Sequence, residues 1–204
     1  MKTKRAILAL SIGAAALLML GNAPVGGAEI GKAAPAFTAV DSNGKTVNLA
    51  DFKGKIVVLE WTNDGCPYVV ANYQGNMQAL QKKYTEKGVV WLSIISSKPG
   101  TQGYADGARA NELTKSRSAV PSRVLLDPKG EVGKLYAAKV TPHMFVIDKD
   151  GVLRYDGAIN AKPSSRATDH KPEESYVTFA VDAIMAGKEV ATTKTQPYGC
   201  GIKY

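Results

Sequence analysis

The sequence predicts an α/β fold: a central mixed sheet with helices on both faces, an N-terminal β-hairpin and a C-terminal tail. Three observations carry this. Short apolar, β-branched runs alternate with stretches of helical spacing. Gly and Pro clusters mark the joints between them. The order opens as strand, helix, strand and closes as strand, strand, helix. The 204 residues suit one domain with a proper core, and 45% hydrophobic with 22% charged residues excludes a disordered or collagen-like chain.

Residues 1–28 read as a segment apart. Lys2, Lys4 and Arg5 form a basic start, and the apolar run over 6–20 is too short for a comfortable membrane span. Gly26 and Ala28 suit signal peptidase, so the expectation is a signal peptide cut after Ala28. Pro24 disfavours a cut after Ala23, and an uncleaved anchor is the alternative. The mature chain is then exported, to a periplasm or a similar space, without a stable membrane span. Export removes three positive charges and no negative one, so the formal +8 falls to +5. The remaining charge is dispersed, with no run of five like charges, which reads as a solvated surface and argues against a nucleic-acid partner.

The elements follow in order within a domain expected over 29–190. Residues 37–40 and 46–49 flank the turn Asp41-Ser42-Asn43-Gly44 and make a hairpin. Residues 56–61 are a buried strand after Gly54. A helical stretch over 67–87 is interrupted near Gly75-Asn76, and Gly88 ends it. Residues 89–95 are the next buried strand, followed by a Gly/Pro/Ser-rich loop and a polar helix over 106–119. A short strand at 123–126, a short helix at 132–138 and two strands, 144–148 and 152–156, come next. Lys149-Asp150-Gly151 turns between those strands. Residues 160–172 are a polar insertion, 173–186 the last helix, and 191–204 a tail with Cys200.

Cys66 lies between a buried strand and a helix whose first residue is Pro67, where the missing N–H costs nothing. Unpaired N–H groups and the helix dipole there favour a thiolate. A small buried residue in a tight turn is the bland alternative. Pro142 stands immediately before a buried strand, a place for an edge or a cis turn. A cis Thr141–Pro142 bond presents the Thr141 backbone to whatever lies opposite.

Gly31, Ala34-Pro35, Phe37, Asp41, Gly44-Lys45, the stretch 49–55, the strand ending at Trp61, Thr141-Pro142 and Phe145-Val146-Ile147-Asp148 with Gly151 occur in an ordered series. Over roughly 29–157 this series resembles the redoxin group, which joins the alkyl hydroperoxide reductase/thiol-specific antioxidant proteins and exported thioredoxin-like reductases. The resemblance implies a thioredoxin-like fold, Cys66 at the active-site helix and Thr141-Pro142 facing it. It implies an oxidoreductase acting on a protein or small-molecule disulfide, or on a peroxide, with an external thiol reductant and no cofactor. Three departures stand out. Val69 occupies the place of the second cysteine of a thioredoxin-type site. Asn63 stands where a peroxiredoxin has Thr or Ser, and Pro142 near where it has Arg. Asn63 retains a donor for a thiolate or peroxide oxygen, and Arg123 is the spare cation.

Cys200, flanked by Gly199 and Gly201, is expected to resolve oxidised Cys66; a static disulfide and pairing with a partner's thiol are the other readings. His143 beside Pro142 offers a base or a copper ligand with Cys66, against a structural, hydrogen-bonded role. His170 reads as solvated. Tyr68, Tyr104 and Trp61 read as core before groove. The sites expected to carry the chemistry are Cys66, Cys200, Asn63, Thr141 and Pro142. A copper-binding chaperone and a non-catalytic binding module are the alternatives.

Overall fold

The computed structural model describes residues 27–204; the basic start and apolar run expected to form the signal peptide lie outside the described residues. The hairpin forms as β1 (Thr38–Asp41) and β2 (Thr46–Asn48), with Asp41 Oδ1 accepting the N–H groups of Asn43 and Lys45 at 2.9 Å to hold the turn. The central strands are β3 (Val57–Trp61), β4 (Val90–Ile95) and β5 (Arg123–Leu126), parallel to one another, as their separation by helices requires. The pair β7 (His143–Ile147) and β8 (Leu153–Gly157) closes the other edge antiparallel. The seven strands run in the order β2-β1-β5-β4-β3-β7-β8.

Helices cover both faces. On one, α1 (Pro67–Asn72), α2 (Asn76–Thr85) and α5 (Tyr176–Met185) bury Met77, Leu80, Tyr84, Val177 and Val181 against Val58, Met144 and Tyr155. On the other, Leu59, Trp61, Phe145 and Ile147 pack with Phe37, Val132 and Tyr136, the last two from α4 (Glu131–Leu135) and its end. This is period-2 alternation on strands buried on both faces, which is why they read as continuous apolar runs. A third cluster joins α3 (Gly107–Ser116) to Ile95 and Val124. Gly75, at φ 118°, makes the expected break between α1 and α2.

Two features depart from expectation. The insertion buries one of its charged-type side chains: His170, expected to be solvated, is 6% exposed, because its Nδ1 meets the Asn160 side-chain amide at 3.0 Å and its Nε2 meets the Ser164 carbonyl at 2.9 Å. The tail, for which no regular element was expected, supplies β9 (Cys200–Gly201), paired antiparallel with β6 (Val140–Thr141) in a separate two-stranded sheet. Among the described residues no helix is long and apolar enough to cross a membrane.

Candidate active site

The end of β3 feeds a tight loop that delivers Cys66 to the start of α1. Asn63 shapes that loop. Its side-chain oxygen accepts the Gly65 N–H at 2.9 Å and its carbonyl accepts the Cys66 N–H at 3.1 Å. Its amide donates to the Gln102 carbonyl at 3.4 Å. The expected donation from Asn63 to the sulfur is therefore not made: the group is committed to the turn, where Asx residues commonly bond backbone two residues on. Cys66 has extended dihedrals at the N-cap and Pro67 opens the helix, as the spacing implied.

Opposite the loop, the Thr141–Pro142 bond is cis. The Cys66 Sγ lies 3.0 Å from the Thr141 carbonyl oxygen, to which the thiol donates. Thr141 is also the residue that pairs with Cys200 across β6 and β9. Gly199, at φ 136°, permits this approach, since a Cβ there would overlap the Thr141 carbonyl. Four of the five expected residues, Cys66, Cys200, Thr141 and Pro142, thus converge from three separate segments. The Cys66 side is fully buried, while Cys200 is partly exposed; both thiols are free.

The two sulfurs titrate in opposite directions. Burial alone would push the Cys66 thiol up. The Cys200 thiol, the Val69 N–H, the Thr141 side chain and the Cys200 N–H outweigh it and hold Cys66 below its ordinary value. Burial, then the hydrogen bond to Cys66, pushes Cys200 up to about 11. Of the two sulfurs, Cys66 is therefore the one more readily ionised, and Cys200 the one that keeps its proton.

Other residues considered from sequence fall elsewhere. His143 alternates away from Cys66 on β7; its Nδ1 accepts the Lys139 N–H at 3.3 Å and its Nε2 meets Asp156 at 2.8 Å. It is structural, and a Cys66–His143 copper pair is not formed. Among the described residues no cluster of three His, Cys, Asp or Glu side chains is placed to hold a metal. Arg123 pairs with Asp41 at 3.5 Å, on the hairpin side, instead of serving the thiolate. Trp61 is core, Tyr104 is exposed, and Tyr68 packs edge-on against Tyr198 of the tail at 5.7 Å.

Sequence reasoning missed Glu60. It is fully buried on the Cys66 face of β3. Oε1 accepts from the Tyr73 hydroxyl at 2.6 Å, and Oε2 accepts from Trp91 Nε1 at 2.7 Å, Ser93 Oγ at 2.9 Å and Gln81 Nε2 at 3.1 Å. The available signal was a lone carboxylate in an apolar strand.

The AhpC/TSA family matches residues 30–156. The thiol-disulfide oxidoreductase ResA of Bacillus thuringiensis is 35% identical over 130 residues, 60% of this chain; the match spans 66% of ResA, just short of two thirds. Peroxiredoxin Q of Suaeda salsa is 27% identical over 135 residues, 61% of this chain and 57% of that protein. The crystal structure of an uncharacterized conserved protein from Geobacillus kaustophilus superposes with a TM-score of 0.77 at 25% identity, covering 86% of this chain and 92% of that one. Solved neighbours include thioredoxin domains, so the sheet is a thioredoxin-like one.

Proposed function

The chain belongs to the AhpC/TSA family, and we propose that it is an exported thiol-disulfide oxidoreductase whose Cys66 is the nucleophile and Cys200 the resolving thiol. The carrying observation is the meeting of the two sulfurs at the cis-Pro142 strand with their titrations pushed apart. Cys66 thiolate attacks one sulfur of a substrate disulfide, whose other sulfur leaves as thiolate. Cys200 then loses its proton and attacks the Cys66 sulfur, closing Cys66–Cys200 and expelling the substrate's remaining thiolate. Two electrons pass to the substrate, and an external thiol reductant restores the pair. Thr141 and Pro142 shape the face on which this occurs, and Asn63 sets the loop.

A peroxide is the second reading, favoured by the likeness to peroxiredoxin Q. Cys66 then becomes a sulfenic acid with release of water or alcohol, and Cys200 displaces water to form the same bond. The disulfide reading is preferred because Asn63, the donor expected for a thiolate or peroxide oxygen, and Arg123, the spare cation for the thiolate, both point elsewhere. Export rests on the basic, apolar and small-residue sequence of 1–28, with 29–190 as the mature domain and 191–204 as its working tail. Mass spectrometry of the mature protein beginning at Glu29 would support that cut.

The test is non-reducing peptide mapping after one equivalent of oxidised glutathione. The unaltered chain should yield Cys66–Cys200, and Cys200→Ser should retain glutathione on Cys66. An unmodified Cys66 in both would overturn the reading.

A further inference from the structure

Beyond β9 the last residues continue with alternating exposure. Cys200, Ile202 and Tyr204 turn inward, while Gly201 and Lys203 face out. Each inward residue has its own place. Cys200 meets Cys66. Ile202 packs on the cluster of Trp61, Tyr136 and Phe145, and its N–H donates to the Lys139 carbonyl at 3.1 Å. The Tyr204 ring lies against Gly130 and Gly133, and its hydroxyl donates to the Ala138 carbonyl at 2.8 Å. Side chains at either glycine would run into that ring. Gly130 is at φ 67° and needs glycine for its backbone alone. Gly133 is different. It sits inside α4, where glycine costs about 1 kcal/mol relative to Ala, and the ring accounts for it. Asp127 accepts the Val132 and Gly133 N–H groups at 3.2 and 2.9 Å, fixing the slot's wall.

The groove matters because Cys66 is fully buried while the tail is seated. A substrate disulfide reaches Cys66 only where the tail has left, and the surface then uncovered fits a segment built like the tail. We propose that this groove docks a protein partner as an extended segment, with a cysteine, an aliphatic residue two positions later and an aromatic residue four positions later. The proposal rests on the reading of Cys66 as a thiol nucleophile; what it adds is what selects the partner. The segment pairs with β6 through its backbone. Cys66 thiolate bonds to the segment's cysteine sulfur as the second sulfur of the partner's disulfide leaves as thiolate. The segment's backbone then gives up β6 to the returning tail, and the Cys200 thiolate attacks the Cys66 sulfur, releasing the segment's cysteine as thiolate.

The test uses the full chain carrying Cys200→Ser and Tyr204→Ala, which loosens the tail and prevents resolution. The probe is the peptide Gly-Cys-Gly-Ile-Lys-Tyr activated as its thionitrobenzoate disulfide, against the same peptide with Ile and Tyr replaced by Ala. Mass spectrometry should show the first peptide bonding to Cys66 at least tenfold faster. Adding Gly133→Ala, a change that favours the helix and fills the slot, should abolish that preference. Equal rates for both peptides, or a preference untouched by Gly133→Ala, would overturn the docking proposal while leaving the thiol chemistry intact; equal rates would also make small-molecule disulfides the better substrate class. A Cys66 that reacts with neither peptide nor with oxidised glutathione would overturn the thiol reading and the docking with it.

Discussion

In the proposed reaction Cys66 and Cys200 divide the work because they differ in surroundings and not in chemistry. Cys66 is held below the ordinary thiol value against its own burial, and Cys200 is pushed up to about 11. Iodoacetamide modification of Cys66 should therefore reach its plateau below the pH expected of a free thiol, and Cys200→Ser, which removes a donor, should move the midpoint upward. The linkage has a definite sign. The depressed Cys66 contributes stability that is present above the ordinary thiol value and lost as pH falls through its folded value. The raised Cys200 contributes stability that is present below the ordinary value and lost as pH rises toward 11. Urea midpoints of the reduced unaltered chain should thus fall more between pH 9 and 11 than those of Cys200→Ser; parallel curves would contradict the assignment. Glu60 poses a different residue-level question. Removing its carboxyl by Glu60→Ala leaves Tyr73, Trp91, Ser93 and Gln81 without their acceptor in the core. The expected cost is about 3–5 kcal/mol by urea denaturation. Glu60→Gln should cost less, about 1–2 kcal/mol, since its oxygen can keep the three-donor side while its amide faces the Tyr73 hydroxyl, which can accept.

At the scale of elements, the tail strand β9 depends on one glycine. Gly199→Ala places a methyl group against the Thr141 carbonyl at a φ that L-residues avoid, so β9 should leave β6. Limited proteolysis after Gly187 should then become faster, and closure of the Cys66–Cys200 bond from the Cys66–glutathione adduct should be at least tenfold slower; an unchanged closure rate would show that the pairing is incidental. The same element marks the limit of what the sequence discloses. The central strands, the helix break at Gly75 and the placing of Cys66 before Pro67 were legible, because each rests on local rules: β-branched runs, glycine at positive φ, proline at a first helical position. β9 was not, because two residues with Gly on either side carry no periodicity, and their partner strand lies almost sixty positions away. Asn63 and His143 show a related limit. Their positions near the site were readable, but the directions of their side chains depended on Gln102 and Asp156, brought in by the fold. His170 was misread for the same reason, since Asn160 and Ser164 satisfy it inside the insertion.

For the whole molecule, the consequence of the docked tail is thermodynamic. The reduced chain already holds Cys200 beside Cys66, so oxidation needs little rearrangement of the native state. The unfolded chain, by contrast, must close a loop of roughly 130 residues, which the chain-entropy account values at about 5 kcal/mol as an upper figure. Oxidised protein should therefore melt higher than reduced protein, by about 2–4 °C for each kcal/mol realised, and Cys200→Ser should melt at one temperature whatever the oxidant. Two effects then oppose each other in the reduction potential. Pre-positioned thiols favour the bond and lower the potential, whereas a stabilised Cys66 thiolate favours the reduced form and raises it. Equilibration against glutathione buffers reads the balance. A working pair should lie above about −300 mV, the region below which structural disulfides resist the glutathione pool. Tyr204→Ala shifts this balance, because it loosens the anchor that holds Cys200 beside Cys66 without changing either sulfur itself. It should raise the potential by making the bond easier to open, and it should shrink the gap between oxidised and reduced melting temperatures in step. A potential that moves while the melting gap stays fixed would separate tail docking from the redox poise and leave the thiolate environment as its sole determinant.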